Sequence, residues 1–284
     1  MYWQENSTCK ATKLLVFCSL PVILEDWGEV LRYSSIFVTR EEIMYQTKKT
    51  YIKSEMKVAP LIFENPSLLM LLEHLRFDLV VHDHTVEQLS INHKVNPALF
   101  VTLCNLFNGF PSSGIAGLNR DDIPTIIFML RNTHSYYVRM KYPEIKKLID
   151  EVNAKNNAAE VKLVEIFFNN YFDEVIEHLD YEEKVVFPAI CAKFGFPNPT
   201  CFSSTEKYSM SVYRDHHTDI ESKLSELKNL LLKYIPLAED RVERRDLLLA
   251  LFDLEFDLTM HSLIEETILI PLVKKYEAEK NLES

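Results

Sequence analysis

One phrase occurs twice in this chain, and its spacing constrains the fold more than any other feature. Residues 178–188 read HLDYEEKVVFP, and residues 261–271 read HSLIEETILIP. Each copy has a histidine, three residues, two glutamates, four residues and a proline. The histidine and the first glutamate are four residues apart, so both side chains project from one face of an α-helix, one turn apart. The repeat therefore predicts two equivalent helices that each present a His–Glu pair.

The helices before the two copies follow the same offset of 83 residues. Arg131-x-x-His134 corresponds to Arg214-x-x-His217, so the chain contains two helical hairpins of one plan. From residue 121 onward, apolar residues recur with helical spacing in four long stretches. The breaks between them fall at 153–156, 195–202 and 236–240. The predicted fold class is all-α, with an up-down-up-down four-helix bundle.

The predicted helix lengths place the donor side chains at one height in the bundle. His134 and His178 each lie about 30 Å from the turn between their helices, at 1.5 Å per residue. The second hairpin gives similar lengths for His217 and His261. We therefore expect six side chains to meet in one layer: His134, His178, Glu182, His217, His261 and Glu265.

Four imidazoles and two carboxylates buried together are costly unless a cation satisfies them. Mixed nitrogen and oxygen donors suit iron, manganese or zinc. Six donors are too many for one catalytic zinc with an open position, and they fit two metal ions better. If both carboxylates bridge, each ion receives two histidines and two carboxylate oxygens. A bridging oxide or hydroxide then leaves a sixth position for a small diatomic ligand.

The duplicated hairpins with their HxxxEExxxxP phrases resemble the hemerythrin-like family, over residues 121–280. This resemblance implies a non-haem di-iron centre, with two iron ions bridged by oxide or hydroxide. Ordinary hemerythrin has a further histidine four residues after its third-helix ligand, where this chain has Glu221. The site therefore resembles the four-histidine, two-glutamate variant of the iron–sulfur cluster repair proteins, which act in recovery from nitrosative and oxidative damage.

The segment 57–107 resembles the small N-terminal domain of the same repair proteins. That domain carries a Cys-Cys-Gly-Gly turn after an Asp-Phe pair, whereas the matching stretch here, 78–83, reads DLVVHD without cysteine. The thiol chemistry of the motif is therefore absent. The predicted organisation is an extension over 1–55, for which Met56 is an alternative start, a small helical domain over 56–110, a linker over 111–120 and the bundle over 121–284.

Two metal-dependent functions follow from the resemblance. The first is a stress-response di-iron protein that contributes to the repair of damaged iron–sulfur proteins. The second is an oxygen or nitric-oxide carrier or sensor. A helical scaffold that has lost its metal is the third interpretation.

The overall composition disfavours some kinds of binding partner and indicates a location. A net charge of −11 disfavours nucleic acid, and no apolar run reaches the roughly 18 residues of a membrane span. Five scattered cysteines without a CxxC motif suggest a reducing, cytoplasmic location.

Several residues near the predicted ligands have more than one interpretation. His216 is an alternative ligand, although the 83-residue offset favours its neighbour His217. Glu183 and Glu266 are either partners of the ligating histidines or solvated residues, and Arg131 either contacts a buried carboxylate or extends to solvent.

Three further sets of residues also have alternative interpretations. Tyr136 and Tyr137 line the ligand site or pack in the core, His82 and His84 form a second metal site or belong to a loop, and His74 and His93 are surface or helix-end residues.

Overall fold

The computed structural model describes residues 49–112, 114–156, 159–196, 223–236 and 239–283. These ranges are helical, and they contain no β-strand beyond an isolated bridge between Lys57 and Thr85. The all-α prediction is confirmed for this part of the chain. The helices are α1 (Val58–Glu64), α2 (Leu68–His74), α3 (Val86–Asn92), α4 (Pro97–Phe107), α5 (Ile123–Tyr136), α6 (Tyr142–Lys155), α7 (Ala159–Tyr181), α8 (Phe187–Phe194), α9 (223–233), α10 (Arg241–Ile264) and α11 (Ile270–Glu283).

The short helices α1–α4 begin at sequence signals for helix starts. Thr85 caps α3 in a capping box with Gln88, in which each side chain bonds the other residue's backbone N–H. The side chain of Asn96 caps α4 by accepting from the backbone of Ala98, and Pro97 follows at the first helical position. These caps fix where the small helices start and how they enter the core.

Residues 50–55, which the sequence analysis assigned to the extension, contact these small helices. The side chain of Ile52 is fully buried. Its backbone N–H donates to Asn105 Oδ1 over 2.7 Å, and its carbonyl accepts from Asn105 Nδ2 over 2.8 Å. Asn108 Nδ2 also donates to the carbonyl of Thr50. A buried asparagine thus holds this segment along α4.

Two clusters of buried apolar side chains form the core. The first joins α1–α4 to α5, α8, α10 and α11, and it includes Leu99, Phe100, Met129 and Ile264. The second lies farther along the long helices and includes Ile149, Phe168, Leu227 and Leu251. The small helices therefore share a hydrophobic core with the helices that carry the candidate ligands.

The long helices pack antiparallel where their contacts are described. Along α5–α6 and α10, the contacting pairs run in opposite directions: Thr133 with His261, Lys141 with Asp253, and Lys155 with Glu243. Along α5–α6 and α7 the order is also reversed: His134 with Glu183, Tyr142 with Phe172, and Asn153 with Glu165. The full up-down-up-down order stays a prediction, because most of the expected third helix falls in 197–222, outside the described residues.

Three of the long helices contain a widened, π-helical turn. In these turns a backbone N–H bonds the carbonyl five residues earlier: Tyr142 to Tyr137, Phe187 to Glu182, and Ile270 to Glu265. A proline follows two residues after each turn, at Pro143, Pro188 and Pro271. Proline lacks an N–H and crowds the carbonyl four residues before it. The widened turn accommodates that residue without ending the helix.

Within the ranges that the structure describes, every helix is too short or too polar to cross a lipid bilayer.

Candidate metal centre

Each widened turn lies directly beyond a candidate ligand histidine. His134 is in the last turn of α5, His178 in the last turn of α7, and His261 in the last turn of α10. Glu182 and Glu265 are the first residues of the turns that follow α7 and α10. Both glutamates are fully buried, and such π turns occur often at functional sites.

The carboxylate of Glu182 lies between three imidazoles. Its Oε2 is 2.9 Å from His134 Nε2 and 3.6 Å from His261 Nε2. Its Oε1 is 2.7 Å from His178 Nε2. One oxygen therefore faces two histidines and the other oxygen faces the third, as a bridging carboxylate would.

The second glutamate approaches the site from α10. Glu265 Oε1 lies 3.4 Å from His261 Nε2. Because Glu265 is one helical turn after His261, the pair repeats the spacing of His178 and Glu182. Both copies of the phrase therefore place a His–Glu pair in the protein interior.

The group formed by His134, Glu182 and His261 could hold a metal ion. One donor atom from each residue lies within 4.8 Å of the other two. The Nε2 atoms of both histidines are buried, and neither makes a hydrogen bond of ordinary geometry in the described structure, although the Glu182 carboxylate is close. Buried nitrogen and oxygen donors that converge in this way are a set that could hold a cation, and they suit iron, manganese or zinc.

A carboxylate and an arginine orient the imidazole of His134. His134 Nδ1 lies 3.0 Å from Glu183 Oε1, and Arg131 Nε forms an ion pair with Glu183 Oε2 at 3.0 Å. The Arg131 guanidinium also lies over the Phe187 ring, at 5.7 Å from its centre. When Nδ1–H donates to a carboxylate, Nε2 keeps the lone pair that a metal requires. Of the interpretations left open for Glu183 and Arg131, the structure therefore supports contact with the ligand.

A threonine orients the imidazole of His261 in the same way. His261 Nδ1 lies 2.7 Å from Thr133 Oγ1, and the Thr133 hydroxyl donates to the carbonyl of Leu130 over 2.6 Å. The hydroxyl oxygen therefore accepts from Nδ1–H, which again leaves Nε2 as the ligand atom. Glu266, the other candidate partner, is exposed. Sequence reasoning missed Thr133, since a buried threonine on a helix carries no distinctive spacing.

The carboxylates make both buried histidines more basic in the metal-free protein. For His134, burial lowers the pKa, but hydrogen bonds to Glu182 and Glu183 outweigh it, so the pKa lies above 6.5. For His261, burial again lowers the pKa, and the charges of Glu265 and Glu182 raise it to about 10. His261 therefore carries a proton at neutral pH in the metal-free protein, and a metal ion would have to displace it.

The structure brings together five of the six predicted ligands, namely His134, His178, Glu182, His261 and Glu265. The sixth, His217, lies outside the described residues, as do the alternative ligand His216 and the neighbouring Arg214 and Glu221.

Of the two interpretations given for His74, the helix-end position is confirmed and the surface position is wrong. His74 does end α2, but it is only 1% exposed. Its Nε2 lies 3.0 Å from both carboxylate oxygens of Asp257, one turn before His261 on α10. A single histidine at a helix end gives no sign in the sequence that another element will cover it.

A surface cavity of about 340 Å³ lies between α5 and α7. His134 and Glu183 form part of its wall, together with apolar side chains of Val138 and Ile176. The cavity therefore borders the outer edge of the candidate metal centre.

Comparison with protein-family models, with curated proteins and with solved structures found no match to this chain.

Proposed function

We propose that this chain is a non-haem di-iron protein of the nitrosative and oxidative stress response, built on a hemerythrin-like four-helix bundle. The observation that carries the proposal is the position of Glu182. Its two carboxylate oxygens face different imidazoles, with His134 and His261 on one side and His178 on the other. A carboxylate in that position can bridge two cations.

The proposed ligands divide into two sets around Glu182. His134 and His261 would hold one iron ion, since their rings are 5.0 Å apart and both approach the same carboxylate oxygen. His178 would hold the other ion, together with His217 according to the repeat in the sequence. Glu265 supplies the second carboxylate.

An oxide- or hydroxide-bridged pair of iron ions would supply a position at which a small diatomic molecule binds and exchanges electrons. The chain's own residues prepare that chemistry. Glu183 and Thr133 fix the rings of His134 and His261 so that Nε2 of each faces the site. Burial of Glu182 and Glu265 excludes bulk water and strengthens their attraction for a cation.

The role in repair of damaged iron–sulfur proteins is supported by the resemblance of residues 57–107 and 121–280 to the repair family. Oxygen or nitric oxide would be the small ligand, and damaged iron–sulfur proteins would be the partners. Location in the cytoplasm agrees with this role and is part of the proposal.

A carrier or sensor of oxygen or nitric oxide is the second candidate, and the state of the described cysteines favours it. Cys104 and Cys191 are buried, and burial raises the pKa of both thiols. The turn over 78–83 has no cysteine either. The described part of the chain thus offers no reactive thiolate for repair chemistry.

Iron content tests the proposal of a di-iron centre. Protein produced with ample iron should contain about two iron ions per chain and show the absorption of an oxo-bridged ferric pair. Glu182→Ala and Glu265→Ala should lose iron because each removes a buried carboxylate ligand. Glu266→Ala is the matched control, since its side chain is exposed, and it should retain the iron. Iron-free wild-type protein would contradict the proposal.

A reactivation assay separates the two candidate roles. Iron-loaded protein is incubated with an iron–sulfur enzyme that nitric oxide has inactivated. Recovery of enzyme activity that depends on Glu182 supports repair. A stable, reversible oxygen or nitric-oxide adduct without reactivation supports the carrier or sensor.

A further inference from the structure

The residue that opens a widened turn has the same local setting in three helices. Glu182 and Glu265 open two of these turns, and Tyr137 opens the third, between α5 and α6. All three side chains are fully buried. A proline lies six residues after each of them. Two of these equivalent positions carry the carboxylates of the candidate site, and the third carries a phenol.

Along the helices, the backbone of Tyr137 and that of Glu265 lie on opposite sides of the pair His134 and His261. Because α5 and α10 are antiparallel, Tyr137 lies one turn beyond His134 towards Asp257, whereas Glu265 lies one turn beyond His261 in the other direction. The Tyr137 ring is 6.0 Å from the His261 ring and inclined to it by 65°. The phenol therefore lies beside one of the two imidazoles that could hold a cation.

The Tyr137 hydroxyl is a buried polar atom that no hydrogen bond of ordinary geometry satisfies in the described structure. The Thr133 hydroxyl, which donates to Leu130 and accepts from His261 Nδ1, interacts with the phenol but does not reach ordinary hydrogen-bond geometry. A phenol is protonated at neutral pH and is therefore a hydrogen-bond donor. A buried donor that forms no hydrogen bond of ordinary geometry is rare in folded proteins, and a bound ligand is one explanation for it.

We infer that the Tyr137 hydroxyl donates a hydrogen bond to a small ligand that enters the centre between His134 and His261. The ligand class is a diatomic molecule or a small linear anion with a terminal acceptor atom. This inference rests on the proposed metal centre and adds a residue that determines how tightly the ligand is held.

Azide, a small linear anion, is the probe for this inference. The dissociation constant of azide is measured on iron-loaded, oxidised protein for the wild type and for Tyr137→Phe. Loss of one neutral hydrogen bond should weaken azide binding about fivefold, and the azide stretching band in the infrared should shift. Tyr142→Phe is the control on the same long helix, because its hydroxyl lies 3.4 Å from Asn169 Oδ1, away from the site. It should bind azide as the wild type does.

Two measurements on the variant protein keep the result interpretable. Tyr137→Phe should contain as much iron as the wild type. Its metal-free form should unfold at about the same temperature, since the hydroxyl loses only a contact with Thr133 that falls short of ordinary hydrogen-bond geometry. A lower unfolding temperature would show that the hydroxyl serves the fold, and it would overturn the inference.

The remaining outcomes distinguish this inference from the proposed function. Equal azide affinities for wild type and Tyr137→Phe, with iron present in both, would overturn the role of Tyr137 and leave the metal centre standing. Iron-loaded wild type that binds no azide would overturn the role as well. Wild type without iron would overturn the metal centre, and the role of Tyr137 with it.

Discussion

The two copies of the repeated phrase match in sequence, yet their surroundings differ. In the first copy, the second glutamate, Glu183, contacts His134 and Arg131. In the second copy, the equivalent residue, Glu266, is exposed, and His261 takes its support from the Thr133 hydroxyl. The repeat thus places the ligand pairs alike, whereas neighbouring elements decide how each ligand is oriented.

The turn that precedes each copy shows the same contrast. Asp257, one turn before His261, is buried against His74 of α2. Its equivalent in the first copy, Glu174, pairs with Lys223, and both of these side chains are more than a third exposed. The second copy is therefore anchored in the core that it shares with the small helices, and the first copy faces solvent at this point.

The largest difference in stability should follow from removing the side chains that pair with Asp257 and with Glu174, namely His74 and Lys223. His74→Ala leaves the Asp257 carboxylate buried without its partner, so we expect the free energy of unfolding to fall by about 3 kcal/mol. Lys223→Ala breaks an exposed pair and should cost less than about 1 kcal/mol. Chemical denaturation of the metal-free proteins measures both values. Equal losses would show that the anchors do not differ.

The pH response should show the raised pKa values of the histidines. In the proposed centre a metal ion would displace the proton of His261, so ferrous iron affinity should rise about tenfold per pH unit below the His261 pKa of about 10. His261 in the metal-free protein contributes stability that is complete below pH 6.5 and is lost as pH rises towards about 10. Metal-free protein should therefore become less stable over that interval.

Glu265→Gln sharpens this test because it removes the charge that contributes most to raising the His261 pKa. The loss of stability should then occur at lower pH than in the wild type. Denaturation curves at several pH values, recorded without metal, provide the measurement. A pH profile that is the same in both proteins would contradict the role given to Glu265.

The equivalent glutamates Glu183 and Glu266 provide a matched pair of variants. Glu183→Ala removes the acceptor for His134 Nδ1, and loss of such a partner weakens metal binding by about 10- to 100-fold. Glu266→Ala should leave the affinity unchanged, because its side chain points to solvent. Competition with a chelator gives both affinities. A comparable loss in Glu266→Ala would mean that the two copies are used alike.

Removing the Thr133 hydroxyl that supports His261 should have the smallest of the expected effects on metal affinity. Thr133→Val removes the hydroxyl that accepts from His261 Nδ1 while it keeps the shape of the side chain, and we expect about a tenfold loss of metal affinity. Thr133→Ser retains the hydroxyl and should restore most of it. If valine and serine bind metal equally well, the hydroxyl does not orient His261.

The sequence predicted those parts of the site that repeat with a fixed period. The 83-residue offset identified the two His–Glu pairs and the helices that carry them, because helical spacing alone places residues four apart on one face. The trailing prolines were visible as well. Their consequence, a widened turn that begins at Glu182 and at Glu265, depends on how the helix accommodates a proline within it, and the pattern did not predict it.

Contacts between distant segments could not be predicted from spacing. Thr133 meets His261 across 128 residues, and His74 meets Asp257 across 183. Neither pair belongs to a periodic pattern, so nothing in the sequence connects its members. The contrast between Glu183 and Glu266 was hidden for the same reason, since identical motifs carry no information about the elements that surround them.

The central claim is that Glu182 lies between two metal ions, and anomalous X-ray diffraction from iron-loaded crystals tests it most directly. The account predicts two iron peaks about 3.5–4 Å apart, as in other two-metal sites, with one oxygen of Glu182 on each. A single peak, peaks away from Glu182, or no iron signal in protein prepared with ample iron would contradict it.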